Sequence, residues 1–230
     1  MKSIVVTAYL AKATRQICCV AMVLSCLAGP VLAEESEGTP GNPATAAPVY
    51  KVGDTWTFSV CTTNTNSDAA VQHVESVVTV ADNQTTLNVP RKGAPPLEMV
   101  FNAQGDVISD GGSTYEPAKG LLDFPMAVGK SWDIRHVRHW ASGGNMVVSA
   151  HASVEAFEKV QVDAGSFDAY KIVVHGLNKG KLSGGPASRF DITYWYAPST
   201  KRIVKYVYQW TNYLHLENYT YELTAYSLAP

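Results

Sequence analysis

The chain has 230 residues, of which 46% are apolar and 17% charged, with a formal net charge of −2. That composition excludes a disordered chain, and the absence of a basic excess argues against nucleic acid or an anionic membrane surface as a partner. The length admits one large domain or two small ones.

The first 33 residues read as a targeting signal. Lys2, Lys12 and Arg15 are the only charges before Glu34. Ile17 to Leu27 is an apolar run, short for a membrane span. Gly29-Pro30 breaks it, and Val31-Leu32-Ala33 places small residues where a signal peptidase reads, so cleavage after Ala33 is expected. Two alternatives stay open. One is a retained membrane anchor. The other is a lipoprotein, because Val23-Leu24-Ser25-Cys26 is a tolerable lipobox with Cys26 as the acylated residue. Export leaves Cys61 as the one cysteine of the mature chain, so no internal disulfide can form. Loss of the three signal cations leaves 15 Lys plus Arg against 20 Asp plus Glu, a net charge of −5. The expected destination is the periplasm or the exterior.

Residues 34–48 contain no large apolar side chain and predict a flexible linker. From residue 49 the pattern is β. Thr55 to Val60 alternates, with Trp56, Phe58 and Val60 on one face. Asn64 to Asp68 has turn composition. Val71 to Val80 and Thr85 to Val89 are strands around an Asp82-Asn83 turn, and Pro90 to Pro96 interrupts. Leu97 to Phe101 and Val107-Ile108 flank a hairpin loop in which Gly105 takes a positive φ. Ser109 to Gly112 ends a first unit (49–110). Glu116 to Leu122 could make one helical turn, and no longer helix is expected.

A second unit (122–230) repeats the plan. Its strands are Trp132 to Trp140, Met146 to Val162, Phe167 to His175, Phe190 to Tyr196, Arg202 to Trp210 and Asn218 to Leu228. Asp163-Ala164-Gly165 is a tight turn, and Asn178 to Pro186 a glycine-rich loop. Val52-Gly53-Asp54-Thr55-Trp56 returns as Val128-Gly129-Lys130-Ser131-Trp132, so one β unit is written twice and the two Trp residues should occupy equivalent buried sites. Short strands between turn signals predict an all-β fold: an antiparallel sheet doubling back as an open barrel or a sandwich.

Three blocks carry a resemblance. They are Phe124 to Trp132, Ala164 to Ile172, and Tyr194 to Pro198 with Lys201 and Val204-Lys205-Tyr206. Together they resemble the exported bacterial β domains grouped around domain of unknown function 3108. The resemblance spans Phe124 to about Tyr208, with a weaker echo at Val52 to Trp56. It implies an envelope location and an all-β fold, and supplies no catalytic residue to transfer.

The chain has no nucleophile elbow, P-loop, dinucleotide fingerprint or zinc-protease helix motif. Asp133, His136, His139 and His151 are the one group that could suggest a metal. On a strand, however, His136 and His139 point to opposite faces, and Arg135 and Arg138 stand beside them. The simpler expectation for them is a solvated strand face. Glu155 and Glu158 fail the same parity test for a carboxylate pair. No catalytic residue, cofactor or metal is therefore expected, and the protein is read as a non-enzyme.

Nine of the twelve tyrosines lie from Tyr170 onward. Parity across the Phe190–Trp210 hairpin puts Phe190, Ile192, Tyr194 and Tyr196 in the core. Trp195 with Ile203, Lys205 and Val207 falls on a mixed second face that needs a cover. These four are the candidate contacts for an apolar small molecule or an envelope protein. The functional expectation is an exported β domain that binds such a ligand or partner. The alternatives are an envelope assembly protein that uses its sheet edges, or an unrecognised hydrolase.

Overall fold

The computed structural model describes residues 44–62, 70–180, 187–211 and 216–230. The signal segment, Cys26, the linker up to residue 43, the Asn64 to Asp68 turn and most of the 178–186 loop lie outside the described residues.

Among the described residues, twelve antiparallel strands form a closed barrel in simple up-and-down order. The first six are β1 (Thr55–Thr62), β2 (Val71–Ala81), β3 (Gln84–Arg91), β4 (Ala94–Asn102), β5 (Val107–Ser109) and β6 (Ser113–Glu116). The second six are β7 (Ser131–Trp140), β8 (Asn145–Val162), β9 (Gly165–Gly180), β10 (Ser188–Ala197), β11 (Arg202–Thr211) and β12 (Leu216–Ser227). The barrel closes where β1 pairs with β12, from Thr55 opposite Ser227 to Thr62 opposite Tyr219. The expected antiparallel sheet is there, and this pairing leaves it no free edge, so it is a closed barrel and neither an open barrel nor a sandwich.

Alternation sets what faces inward. On β7, Ile134 and His136 are buried while Asp133 and Arg135 are exposed. On β10, Phe190, Ile192, Tyr194 and Tyr196 all point into the core, as their parity predicts. The outer wall carries ion pairs such as His151–Asp133, Lys171–Glu155 and Arg189–Asp191. Among the described residues no helix is long and apolar enough to cross a membrane.

The two halves begin on matching corners. Gly53 and Gly129 take φ of 97° and 86°, the left-handed region that costs glycine little. The Gly53 amide donates to the Val77 carbonyl at 3.0 Å, and the Val77 amide donates to the Asp54 carbonyl at 2.9 Å. The second corner repeats this: the Gly129 amide donates to the Val154 carbonyl at 2.9 Å, and the Val154 amide to the Lys130 carbonyl at 2.8 Å. Trp56 and Trp132 are each the second residue of the leading strand of a six-strand half. Their burial differs, however: Trp56 is fully buried and Trp132 only half-buried.

Four local readings need correction. Glu116–Leu122 forms no helix, because the chain there runs into the barrel instead. Ser113–Glu116 is a strand, β6, paired with β7 from Trp140 to Val137. The 90–96 interruption is narrower than its prolines suggest, since β3 reaches Arg91 and β4 starts at Ala94. Residues 44–48 are not free of the domain: the Thr45 and Met126 backbones exchange two hydrogen bonds of 2.8 Å.

The connection from Pro117 to Lys130 acts as an internal plug. The Leu121 carbonyl accepts from the Tyr194 hydroxyl, and the Gly120 carbonyl accepts from Trp132 Nε1 at 2.9 Å. Leu122 and Met126 are buried, and Phe124 meets Tyr196 edge-on at 5.4 Å. An apolar side chain gains about 1.5–3 kcal/mol when buried. That gain explains why the Leu121 to Met126 run turns inward.

Candidate functional site: the hollow end of the barrel

The barrel is filled at one end and hollow at the other. The filled end holds the turn Pro198–Thr200 and the start of β1. Trp56, Phe58, Leu87, Phe101, Val204 and Leu223 are all at 0% exposure there. Trp56 Nε1 donates to the Thr200 carbonyl at 2.8 Å, and Tyr50 meets the Trp56 ring edge-on at 5.8 Å. Two buried ion pairs sit in this core. Arg202 bonds Glu75, with its guanidinium 4.8 Å from the Phe101 centroid and 5.4 Å from that of Trp56. Lys201 Nζ lies 2.7 Å from Asp54 Oδ2, and the Ala229 amide donates to Asp54 Oδ1 at 2.8 Å. Burial works to raise both carboxyls. For Glu75 the Arg202 charge and the His73 hydrogen bond outweigh it; for Asp54 the Lys201 and backbone hydrogen bonds do, so both end below the usual carboxylate range.

Above that core lies an interior cavity of about 740 Å³. It reaches from the Glu75–Arg202 pair to Trp140 and Trp210 near the far ends of β7 and β11. One wall is aromatic and apolar: Phe190, Ile192, Tyr206, Tyr208, Tyr219 and Tyr221 from β10, β11 and β12. Tyr206 and Tyr208 are only half-buried, although they point inward from the same strand as fully buried Val204. Inward residues that keep accessible surface are the signature of an unfilled interior.

The opposite wall is polar. His136 and Arg138 come from β7, Asp106 and Asp110 from the turns flanking β5, and Lys119 from the plug. Asp106 is 4% exposed and accepts from the amides of Gly120 and Leu121; burial nonetheless raises its pKa to about 6. Asp110 accepts from the Tyr115 hydroxyl and from the Ser113 amide at 2.8 Å. Arg138 Nε donates to Ser113 Oγ at 2.9 Å, and its guanidinium lies over the rings of Tyr115 and Trp140 at 5.9 and 5.5 Å. The Lys119 ammonium stands 5.0 Å from the Tyr115 centroid, its pKa lowered by burial. His136 is 5% exposed, with no hydrogen-bond partner at Nδ1. Burial, then the Lys119 charge, lowers its pKa to about 4, so the ring is neutral at pH 7.

This corrects the solvated face expected for His136. The opposite-face parity of His136 and His139 holds: His139 stands outside, 4.0 Å from Glu116. The inward position of His136 was readable from Ile134 two residues earlier, and Arg138 shares that parity.

The four sequence-derived contacts do not share one face. Trp195, Lys205 and Val207 stand on the outer wall, each half-buried. Trp195 Nε1 donates to Glu158 Oε1 at 2.8 Å, and Lys205 Nζ lies 5.9 Å from the ring centroid and 2.7 Å from Glu222 Oε1. Ile203 instead lines the cavity. The reason is a bulge: Trp195 pairs with Lys205 but Tyr196 pairs with Ile203, which leaves Val204 as the extra residue. Around the extra residue Arg202, Ile203 and Val204 all turn inward, and alternation alone cannot reveal that.

Solved structures share this fold. A protein described as a candidate exported protein with YmcC-like fold from Bacteroides fragilis superposes with a TM-score of 0.54 at 15% identity, covering 80% of this chain and 100% of its own. The barrel is similar to the YmcC-like fold. A candidate lipoprotein from Parabacteroides distasonis gives a TM-score of 0.52 at 10% identity, covering 81% of this chain and all of its own. No protein-family model matches the chain, and no curated protein matches it.

Proposed function

We propose that this is a non-catalytic protein of the bacterial cell envelope whose barrel holds an apolar or amphipathic small molecule. The observation that carries the reading is the unequal filling of one barrel. Protein interiors pack densely, with few voids larger than a water molecule. An aromatic-lined space of about 740 Å³ lies within the usual size of a ligand pocket. Enclosure by a closed sheet favours a small molecule over a protein segment, and aromatic walls favour an apolar body. The outer residues Trp195, Lys205 and Val207 do not enter this reading; Ile203 does, as part of the cavity wall.

The envelope location draws support from the N-terminal signal pattern and from the blocks that resemble the domain-of-unknown-function 3108 group. The exported and lipoprotein descriptions of the two structural neighbours point the same way. Signal cleavage after Ala33 and acylation at Cys26 differ in the mature mass, and intact mass spectrometry of the exported protein separates them.

The test of binding is fluorescence of N-phenyl-1-naphthylamine, an uncharged probe that brightens in apolar surroundings. Wild type should bind it saturably. Met146→Trp, which fills the cavity from a half-buried position at its rim, should lose at least tenfold in affinity. A wild-type protein that leaves the probe dark would overturn the reading.

A further inference from the structure

The cavity wall carries four cations: Lys119, Arg138, Lys201 and Arg202. Two are neutralised where they stand, Lys201 by Asp54 at 2.7 Å and Arg202 by Glu75. Lys119 and Arg138 have no carboxylate at ion-pair distance among the described residues. Their nearest acidic neighbours, Asp106 and Asp110, act on Lys119 only through space and direct their oxygens to other donors: Asp106 to the Gly120 and Leu121 amides, Asp110 to the Tyr115 hydroxyl and the Gly112 and Ser113 amides. The polar contacts of the two cations are with uncharged groups, a ring face for Lys119 and Ser113 Oγ with two ring faces for Arg138. Beside them His136 is buried with an unpartnered Nδ1. A buried cation without a counterion is costly. Lys119 and Arg138 are half-buried, and two such cations converging on a hollow space, next to an unsatisfied ring nitrogen, make a site with room for an anion.

The position of this group within the cavity says what the anion is attached to. Arg138 lies two residues before the end of β7, at the hollow end, and the space continues inward past Ile134, Leu122 and Ile203 to the filled core. Along the facing wall, Tyr206 to Trp210 alone spans about 13 Å of strand. We infer that the barrel binds a long-chain amphiphile with a single anionic end, of the fatty-acid class, its carboxylate held by Lys119 and Arg138 and its chain laid along the β10–β12 wall. Lys119 supplies a point charge, and the Arg138 guanidinium supplies two parallel donors that match a carboxylate. The inference rests on the proposed binding function and deepens it by assigning the charge of the ligand and the residues that read it.

The test compares cis-parinaric acid with its methyl ester, two probes with the same chain, one with an anionic end and one with an uncharged end, on the full chain and on Lys119→Met, Arg138→Met and the double substitution. Wild type should favour the acid over the ester by at least tenfold. The double variant should bind the ester as wild type does and lose the preference to within twofold. Arg138→Lys should keep most of it, which separates lost charge from lost packing. Thermal unfolding checks that each variant is folded; if the Met variants are not, the wild-type acid-to-ester ratio decides alone. Equal binding of both probes by wild type would overturn the anion assignment and leave the binding function standing. So would a preference that survives in a folded double variant. Failure of both probes to bind overturns the binding function itself.

Discussion

The two ends of this barrel are built from the same twelve strands with the same inward parity, yet one is solid and the other hollow. At the filled end, β1, β2, β3, β4, β11 and β12 contribute Trp56, Phe58, Val77, Leu87, Phe101, Val204 and Leu223, and the two charged pairs there are closed on themselves. At the hollow end the inward side chains are as large, including Tyr206, Tyr208, Trp210 and Tyr219, but they leave accessible surface. Size of side chain therefore does not decide filling. What differs is what enters the barrel from its connections: Tyr50 and the 198–200 turn pack into the filled end, and the plug stops at the middle. Stability and function are thereby separated along the barrel axis, and substitutions should show it.

The largest contrast concerns two tryptophans. Trp56→Ala should cost about 3–5 kcal/mol, the range for deleting a fully buried large aromatic. It also orphans the Thr200 carbonyl that Trp56 Nε1 reaches. Trp210→Ala should cost about 1 kcal/mol or less, because the half-buried ring borders space that is already empty and loses mainly its bond to Ser188 Oγ. Urea unfolding of both variants measures the difference, and equal losses would erase the distinction between the ends.

Titration offers the next contrast. The filled-end carboxyls Asp54 and Glu75 have depressed pKa values, so their contribution is present above the unfolded value near 4 and is lost as pH falls through the lower folded value. The hollow-end groups titrate in between. His136, at about 4 folded against about 6.5 unfolded, contributes stability that is full above pH 6.5 and disappears as pH falls toward 4. Asp106, raised to about 6, runs the other way: its contribution is full below about pH 4 and is lost as pH rises through 6. The two nearly cancel in wild type. Removing the histidine unmasks the aspartate, so His136→Gln should gain about 3 kcal/mol relative to wild type between pH 6.5 and 4. Unfolding free energies at those two pH values check it, and parallel pH profiles would place His136 in a less buried setting.

How far the sequence anticipates this molecule follows from what alternation encodes. Eleven of the twelve strands are visible, ten as β-type runs and the three-residue β5 through the hairpin loop before it, and the Val-Gly-x-x-Trp repeat marks two corners whose backbone hydrogen bonds match atom for atom. The missing strand, β6, is four residues long and lies between Gly112 and Pro117, too short to show a period. The bulge at Val204 is silent because a single extra residue leaves composition unchanged, and it alone moved Ile203 from the outer wall to the cavity. The cavity is silent for a deeper reason. Parity says which side chains face inward, but not whether opposite walls meet. Parity with Ile134 puts His136 and Arg138 on the inward face, and what hid them was the expectation of a solvated strand face.

The corner tryptophans give a smaller effect. Trp132→Ala should cost about 2 kcal/mol, below the range for full burial, since the half-buried ring rests on the plug and its Nε1 bonds the Gly120 carbonyl. The comparison with Trp56→Ala by urea unfolding asks whether twin corners with one backbone geometry differ only in what lies beneath them. Equal costs would mean that the corner, and not the filling, sets the energy.

The smallest expected effect is the sharpest discriminator, because it depends on space and on nothing else. Adding volume to a well-packed interior forces neighbours off their rotamers and costs about 1–3 kcal/mol. Val204 is at 0% exposure in the filled core, so Val204→Phe should fall in that range. Met146 points into the cavity from the start of β8 and is half-buried. Met146→Trp adds more volume than Val204→Phe, yet it should change stability by less than about 0.5 kcal/mol, because the added ring enters space bordered by side chains that do not touch across it. The sign of size is thus reversed between the ends: the larger insertion is the cheaper one. Thermal unfolding of the pair is the measurement. A costly Met146→Trp would mean that the walls around the cavity already meet in solution, and the same variant, if folded and stable, is the one whose loss of probe binding tests what the space is for.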